Sequence, residues 1–254
     1  MDPPTYISSQ KGLSLIQVTK RYDAIVAVDH VSLQIRNREF LAIVGPTGCG
    51  KTTLLRLIAG TEKLDFGHIY FQGKCIDDEK PANRRVRMVF QENALWPHMR
   101  VFDKDSYSNL SFGLRIRKHM PARIEETVNI IVNRLHIAKD LLRRKPNRLS
   151  AGQKQLVGIG RAMTIIPAIL LMDEPMANVD PQQRLTLRKE LKEYHSKMET
   201  ITLYVTHNLP EAFSLADRVA IMREGRIIQV DTPGRIFSHP ADDFVKDFIQ
   251  CFEV

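Results

Sequence analysis

The stretch Gly45-Pro46-Thr47-Gly48-Cys49-Gly50-Lys51-Thr52-Thr53 constrains this chain more than any other, because it sets three glycines and a lysine between two apolar runs, Phe40 to Val44 and Leu54 to Ala59. Gly45-x-x-x-x-Gly50-Lys51-Thr52 has the form of a phosphate loop, in which successive backbone N–H groups wrap a polyphosphate and the following helix aims its positive end at it. Side chains there would block the approach, hence the glycines. The motif requires a strand before the loop and a helix after it, and the flanking runs fit both. Lys51 is placed to bridge the β- and γ-phosphates as a point charge, and the Thr52 hydroxyl to hold Mg²⁺. Cys49 contributes mainly its N–H.

Phosphate loops serve many classes of protein, so partner motifs must decide between them. In Ile169-Leu170-Leu171-Met172-Asp173-Glu174-Pro175 a buried strand delivers two consecutive carboxylates at its C-terminal edge. Asp173 is suited to receive Mg²⁺, directly or through water, and Glu174 to polarise an attacking water. In Leu149-Ser150-Ala151-Gly152-Gln153, Ser150 and Gln153 form an S-x-x-Q capping box for the next helix. That helix start, with a glycine beside it, is also a place for anionic phosphate.

At 254 residues and 43% hydrophobic content, the chain can bury one substantial α/β core, or one core with a small satellite. No apolar run approaches the roughly 18 residues of a membrane span, and the N-terminus lacks the layout of a secretory signal, so a cytosolic protein is expected. Cys49, Cys75 and Cys251 are widely spaced, without a CxxC, and suggest neither a disulfide framework nor a zinc site. The formal charge of +8 is compatible with nucleic acid, an anionic membrane surface or phosphate ligands, but the basic residues are scattered, with only short clusters at Arg84-Arg85 and Arg143-Arg144-Lys145.

Strands are expected at Leu13 to Thr19, Val31 to Ile35, Phe40 to Val44, Ala168 to Met172 and Ile201 to Val205, the last two joined by a helix from Pro181 to Met198 as a βαβ unit. From about Val101 to Pro146 strand signals vanish, and Ile124, Val128, Ile131 and Leu135 recur at helical spacing, which reads as a helical insert. A hairpin turned at Glu224-Gly225 and a helix from Ala241 to Gln250 close the pattern.

With Leu149–Gln153 lying between the phosphate loop and Met172–Pro175, the chain resembles the nucleotide-binding subunits of ABC transporters from about Leu13 onward. The resemblance implies an α/β P-loop NTPase (RecA-like) core, over about residues 10–100 and 165–254, with an antiparallel β subdomain and a helical signature subdomain over about 101–164. It also implies that Tyr22 stacks on adenine and that Gln91 senses Mg²⁺ and the attacking water while touching the membrane partner. Asp180 then belongs to the loop that crosses to a second subunit, and His207 is the switch histidine that contacts the γ-phosphate. Asn93–Met99, Gly225–Val230 and Pro240–Val245 resemble importers of sugars, polyamines, osmolytes or oxyanions, and the chain stops where many of these carry a C-terminal β regulatory domain. An importer of this kind binds ATP and Mg²⁺ and pairs head to tail with a second copy of itself, each phosphate loop facing the other's Ser150-Ala151-Gly152. It works on transmembrane permease subunits at the cytoplasmic face of the cell membrane, indirectly serves an extracytoplasmic solute-binding protein, and needs no nucleic acid.

Two other readings are a soluble ATPase of the same family acting on DNA or ribosomes, and a nucleotide-binding regulatory module without turnover. The long coiled coils or fused second cassette of the former are not seen, and the presence of Glu174 and His207 argues against the latter. The chain departs from the family pattern at Leu156, Gly158, Gly160, Ala177 and Asn208, and in a longer run from Val101 to Leu110. The two glycines predict a soft signature helix.

Overall fold

The computed structural model describes residues 11–91 and 94–251, which divide into two compact units: 11–87, 167–173 and 195–251 in the first, and 88–91, 94–166 and 174–194 in the second. Asn93, which heads the importer-like segment Asn93–Met99, lies outside the described residues. The chain begins β1 (Leu13–Tyr22), β2 (Ile25–Ile35), β3 (Phe40–Val44), α1 (Lys51–Ala59), β4 (Phe66–Phe71), β5 (Lys74–Cys75) and β6 (Val86–Val89). It continues with α2 (Phe112–Ile116), α3 (Pro121–Arg134), α4 (Ala151–Met163), β7 (Ile169–Asp173), α5 (Pro181–Ser196), β8 (Ile201–Thr206), α6 (Leu209–Leu215), β9 (Arg218–Arg223), β10 (Arg226–Asp231), α7 (Pro233–Ser238) and α8 (Asp243–Gln250).

The first unit is organised by a sheet of order β10-β9-β3-β8-β7-β6, in which β3 runs parallel to both β8 and β9. All five residues of β3 are buried, as a continuous apolar run in a central parallel strand requires. Enclosing Phe40, Leu41, Ile43 and Val44 contributes about 1.5–3 kcal/mol for each large side chain. Ala42 and Val44 join Leu209 and Ala212 of α6, Ile236 of α7, and Val245 and Ile249 of α8 in one apolar cluster. The second, antiparallel sheet has the order β2-β1-β4-β5. Its β1 and β2 are longer than the alternation predicts, because pairing extends through Lys20, Arg21 and Tyr22 opposite Val28, Val26 and Ile25.

In the second unit, α3 buries Ile124, Val128, Ile131 and Val132, the stripe its periodicity predicts. The rest of the expected helical insert differs. Residues 101–111 form an irregular segment held by hydrogen bonds, with Val101 N donating to Arg144 O (2.9 Å), Phe102 N to Leu142 O (2.8 Å) and the buried Asn109 Nδ2 to the carbonyls of Trp96, Met99 and Arg100 (each 3.2 Å). Backbone groups that cannot join a ladder are satisfied by this one amide instead. Helix α4 is continuous, and a Cβ on Gly160 would lie 3.2–3.3 Å from side-chain carbons of Ile131, Leu110 and Leu135, so that glycine serves close packing rather than softness. On α5, Leu187, Leu191 and Tyr194 share a buried face; the Tyr194 hydroxyl donates to Met163 O at 3.2 Å, and burial pushes its pKa up to about 12.

Candidate active site

Parallel pairing brings the chemistry-bearing strand ends of the first unit together. Val44 lies opposite Thr206 and Asp173 opposite Val205, so the phosphate loop, Asp173 and His207 leave the sheet at one carboxyl edge, where α/β sheets place their ligands. The loop between β3 and α1 is anchored from below. Gly225 N donates to Cys49 O at 3.0 Å, and a Cβ on Gly50, at φ 103°, would sit 2.0 Å from Ala27 O. Only glycine combines that left-handed backbone with so close an approach. Above this floor Pro46, Thr47 and Gly48 are exposed, and nothing lies within 4 Å of where a Gly48 Cβ would be. The loop tip is therefore open, with no side chain among the described residues within 4 Å of where a Gly48 Cβ would stand.

The charged groups beneath the tip fit a phosphate and a divalent cation together. Lys51 is only 6% exposed, and its Nζ donates to Gly45 O at 2.7 Å and Pro46 O at 2.8 Å, which fixes an ammonium at the N-terminus of α1. The Thr52 hydroxyl donates to Asp173 Oδ1 at 3.0 Å, pairing the two oxygen ligands expected for Mg²⁺. Burial raises the Cys49 pKa against the opposing pull of Lys51, so this residue stays a thiol and offers its main chain. Tyr22, the residue expected to stack on adenine, ends β1 and is 39% exposed, with Lys20 Nζ 5.3 Å from the centre of its ring.

His207 follows β8 and is exposed, ahead of α6, which Asn208 caps by accepting from Glu211 N at 2.9 Å. The sequence reading overlooked Glu211. Its buried carboxylate accepts from the Tyr204 hydroxyl (3.0 Å) and the Thr206 hydroxyl (2.9 Å), which locks the strand end that carries His207. A glutamate three residues after a capping asparagine was the available signal.

The remaining candidates belong to the second unit. The capping box is present, with Gln153 N donating to Ser150 Oγ at 3.2 Å and Ser150 N to Gln153 Oε1 at 3.0 Å. Ser150, Ala151, Gly152 and Gln153 line one side of a cleft of about 530 Å³, and Ala177 to Asp180 line the other. A Cβ on Gly152 would fall 2.8 Å from Asn178 O, so the two motifs meet at van der Waals distance. Arg184 holds the far loop by donating to Val179 O (2.7 Å) and Ala177 O (3.2 Å), and Asp180 Oδ1 accepts from Gln182 N at 2.9 Å to start α5. Glu174 follows Asp173 directly, with φ at 45°, a left-handed conformation that a glutamate rarely adopts and that clusters at functional sites. Gln91 is exposed two residues beyond β6. Trp96 is half-buried between Phe112, 4.2 Å away centroid to centroid, and the Arg161 guanidinium at 4.7 Å. Among the described residues no helix is long and apolar enough to cross a membrane.

The ABC transporter family model matches residues 28–177. The chain is 45% identical over 238 residues to the sn-glycerol-3-phosphate import ATP-binding protein UgpC of Cupriavidus necator, covering 93% of this chain and 63% of the relative. It is 43% identical over 238 residues to the osmoprotective compounds uptake ATP-binding protein GgtA of Synechocystis sp., covering 94% of this chain and 64% of the relative. The chain thus spans a little under two thirds of the length of these curated relatives. Among solved structures it is similar to the ATP-binding cassette MJ0796 in a dimeric post-hydrolysis state bound to ADP and Pi, with a TM-score of 0.77, 27% identity, and coverage of 87% of this chain and 98% of that one. The phosphate loop, the strand-end aspartate and the capped glycine turn, on an α/β P-loop NTPase core, make this chain a member of the ABC transporter family.

Proposed function

We propose that the chain is the ATP-binding and hydrolysing subunit of an ABC importer. One observation carries the reading: the fixed Lys51 ammonium and the Thr52–Asp173 pair lie under an open, glycine-built loop at the start of a helix. The loop N–H groups and Lys51 bind the β- and γ-phosphates, and Tyr22 stacks on the base. Thr52 and Asp173 would hold Mg²⁺, which would neutralise phosphate charge there, and the family resemblance gives Gln91 the role of sensing that ion. Glu174 takes a proton from the attacking water, and His207, on the strand end locked by Glu211, contacts the γ-phosphate. Ser150, Ala151, Gly152 and Gln153, with Asp180 across the cleft, meet the nucleotide held by a second copy, so that ATP completes a head-to-tail interface and hydrolysis releases it.

The roles that name UgpC and GgtA, sn-glycerol-3-phosphate import and uptake of osmoprotective compounds, support an importer. The dimeric state of MJ0796 supports pairing of two copies. Transmembrane permeases at the cytoplasmic face of the cell membrane are the partners this role calls for, with a solute-binding protein acting through them.

Lys51→Ala tests the assignment, because it removes the one side-chain cation the loop's own carbonyls hold in place. Calorimetry with Mg²⁺-ATP is expected to show binding to the native chain and none to the variant at ordinary nucleotide concentrations. Equal affinity in both would remove the phosphate loop from the account.

A further inference from the structure

Pairing of β4 with β5 sets Tyr70 opposite Cys75 and Phe71 opposite Lys74, and Ile76 N donates to Ile69 O at 2.9 Å, which carries the same register to His68 opposite Asp77. Side chains two apart on a strand share a face, so His68, Cys75 and Asp77 stand on one side of this edge hairpin. A nitrogen of His68, the Cys75 sulfur and a carboxylate oxygen of Asp77 all lie within 4.8 Å of one another. The cysteine spacing in the sequence held no such signal, because the strands, not the chain, bring the three donors together.

The cluster is organised. Asp77 divides its oxygens: Oδ1 accepts from Ile69 N at 2.7 Å, which fixes the carboxylate, and Oδ2 faces His68 Nδ1 at 2.8 Å. Arg84 Nη2 donates to Asp77 O at 2.7 Å and Arg84 Nε to Glu79 O at 2.9 Å, so the turn behind the ligands is pinned from the interior. The Lys74 ammonium next to Cys75 in sequence is engaged by Glu79 at 2.5 Å. Burial, with the neighbouring Asp77 and Asp78 carboxylates, pushes the Cys75 thiol up, so without an ion the residue is a thiol. His68 and Cys75 are exposed, so an ion reaches them from solvent.

We propose that His68, Cys75 and Asp77 form a binding site for a borderline-soft divalent ion of the Zn²⁺ class, separate from the nucleotide site. An imidazole nitrogen, a thiolate sulfur and one carboxylate oxygen are the donors Zn²⁺ takes, and the nitrogen and sulfur turn away Mg²⁺ and Ca²⁺, which prefer oxygen. Bond lengths of roughly 2.0–2.3 Å set tetrahedral donor separations of about 3.3–3.7 Å. Donors now up to 4.8 Å apart close by on the order of 1 Å, and the 2.8 Å His68–Asp77 contact opens by about 0.5 Å, both within the rotamer freedom of exposed side chains. The ion takes the place of the proton between His68 Nδ1 and Asp77 Oδ2, the imidazole stays neutral by carrying its proton on Nε2, and the Cys75 thiol gives its proton to solvent. One thiolate and one carboxylate balance the charge of the ion, and water takes the fourth position.

The test uses the full chain, freed of metal by dialysis against chelator and kept without nucleotide, titrated with Co²⁺ as a spectroscopic stand-in and with Zn²⁺ in the calorimeter. A thiolate-to-Co²⁺ charge-transfer band is expected in the native chain and in Cys251→Ser, which removes the other exposed thiol, and not in Cys75→Ser. His68→Gln should weaken Zn²⁺ by at least about tenfold, no less than the loss expected for a partner that only orients a ligand. Both positions are exposed, and unchanged denaturation midpoints will show that the variants fold. No charge-transfer band in the native chain, a band that persists in Cys75→Ser, or Zn²⁺ affinity unchanged by His68→Gln would each overturn the site. Addition of Mg²⁺-ATP should leave the band in place, and its loss would merge this site with the nucleotide site and overturn the claim that it is separate.

Discussion

The same substitution at two positions of α4 should have unequal consequences for reasons visible in the packing. At Gly152 an added Cβ meets a main-chain oxygen, Asn178 O, at 2.8 Å, so the backbone of the facing loop must move. Overpacking against groups that cannot rotate away costs about 1–3 kcal/mol. Replacing glycine by alanine in a helix returns at most about 1 kcal/mol, and less in the first turn, where Gly152 sits. Gly152→Ala should therefore be destabilised by about 1–2 kcal/mol net. At Gly160 the new Cβ meets the ends of Ile131, Leu110 and Leu135 side chains at 3.2–3.3 Å, which can give by a few tenths of an ångström, while the interior position returns the full propensity gain. Gly160→Ala should fall within about 0.5 kcal/mol of the native chain. Urea denaturation at constant m-value measures both. A Gly152→Ala chain as stable as the native one, or more so, would refute the reasoning, since it would mean that the Asn178 carbonyl yields freely and the cleft is not set by this contact.

Trp96→Ala should cost about 1–2.5 kcal/mol, the sum of an aromatic pair and a cation–π contact, and less than a fully enclosed aromatic; an unchanged denaturation midpoint would show that neither contact holds the ring. His195 donates from Nε2 to Arg38 O (3.1 Å) and accepts at Nδ1 from the Thr202 hydroxyl (2.8 Å), and its pKa is lowered by burial against the opposing pull of the Arg38 carbonyl and Asp217. The unfolded chain then takes up the proton first, so this group's contribution to stability is complete above the ordinary histidine pKa of about 6.5 and declines as pH falls from there toward the lower folded value. An NMR titration that places His195 at or above the ordinary histidine value would contradict this.

Strands enclosed on both faces were legible in the sequence because burial leaves a continuous apolar run: β3, β7 and β8 fall within a residue of their expected bounds. The β9–β10 hairpin was legible from its Glu224-Gly225 turn, where both residues take positive φ. β4 and β6 were not, since Phe66–Phe71 mixes exposed and buried positions and Val86–Val89 buries only its last residue fully. Of the candidate site, the loop, Asp173 and the capping box could be read because each motif is contiguous. Glu211 carried a helix-start signal after Asn208, but its bonds to Tyr204 and Thr206 and the His68–Cys75–Asp77 cluster could not be read, because those partners meet only through the fold.

The reading of Glu174 as the group that takes a proton from water is tested most directly by Glu174→Gln, which keeps the shape but accepts no proton. Nucleotide affinity by calorimetry and phosphate release in a single turnover should be measured on the same preparation in Mg²⁺-ATP. The account predicts affinity within about threefold of the native chain and phosphate release slowed by at least about a hundredfold, the low end of what a positioned general base supplies. Phosphate release at the native rate, or affinity and release falling together by the same factor, would contradict it.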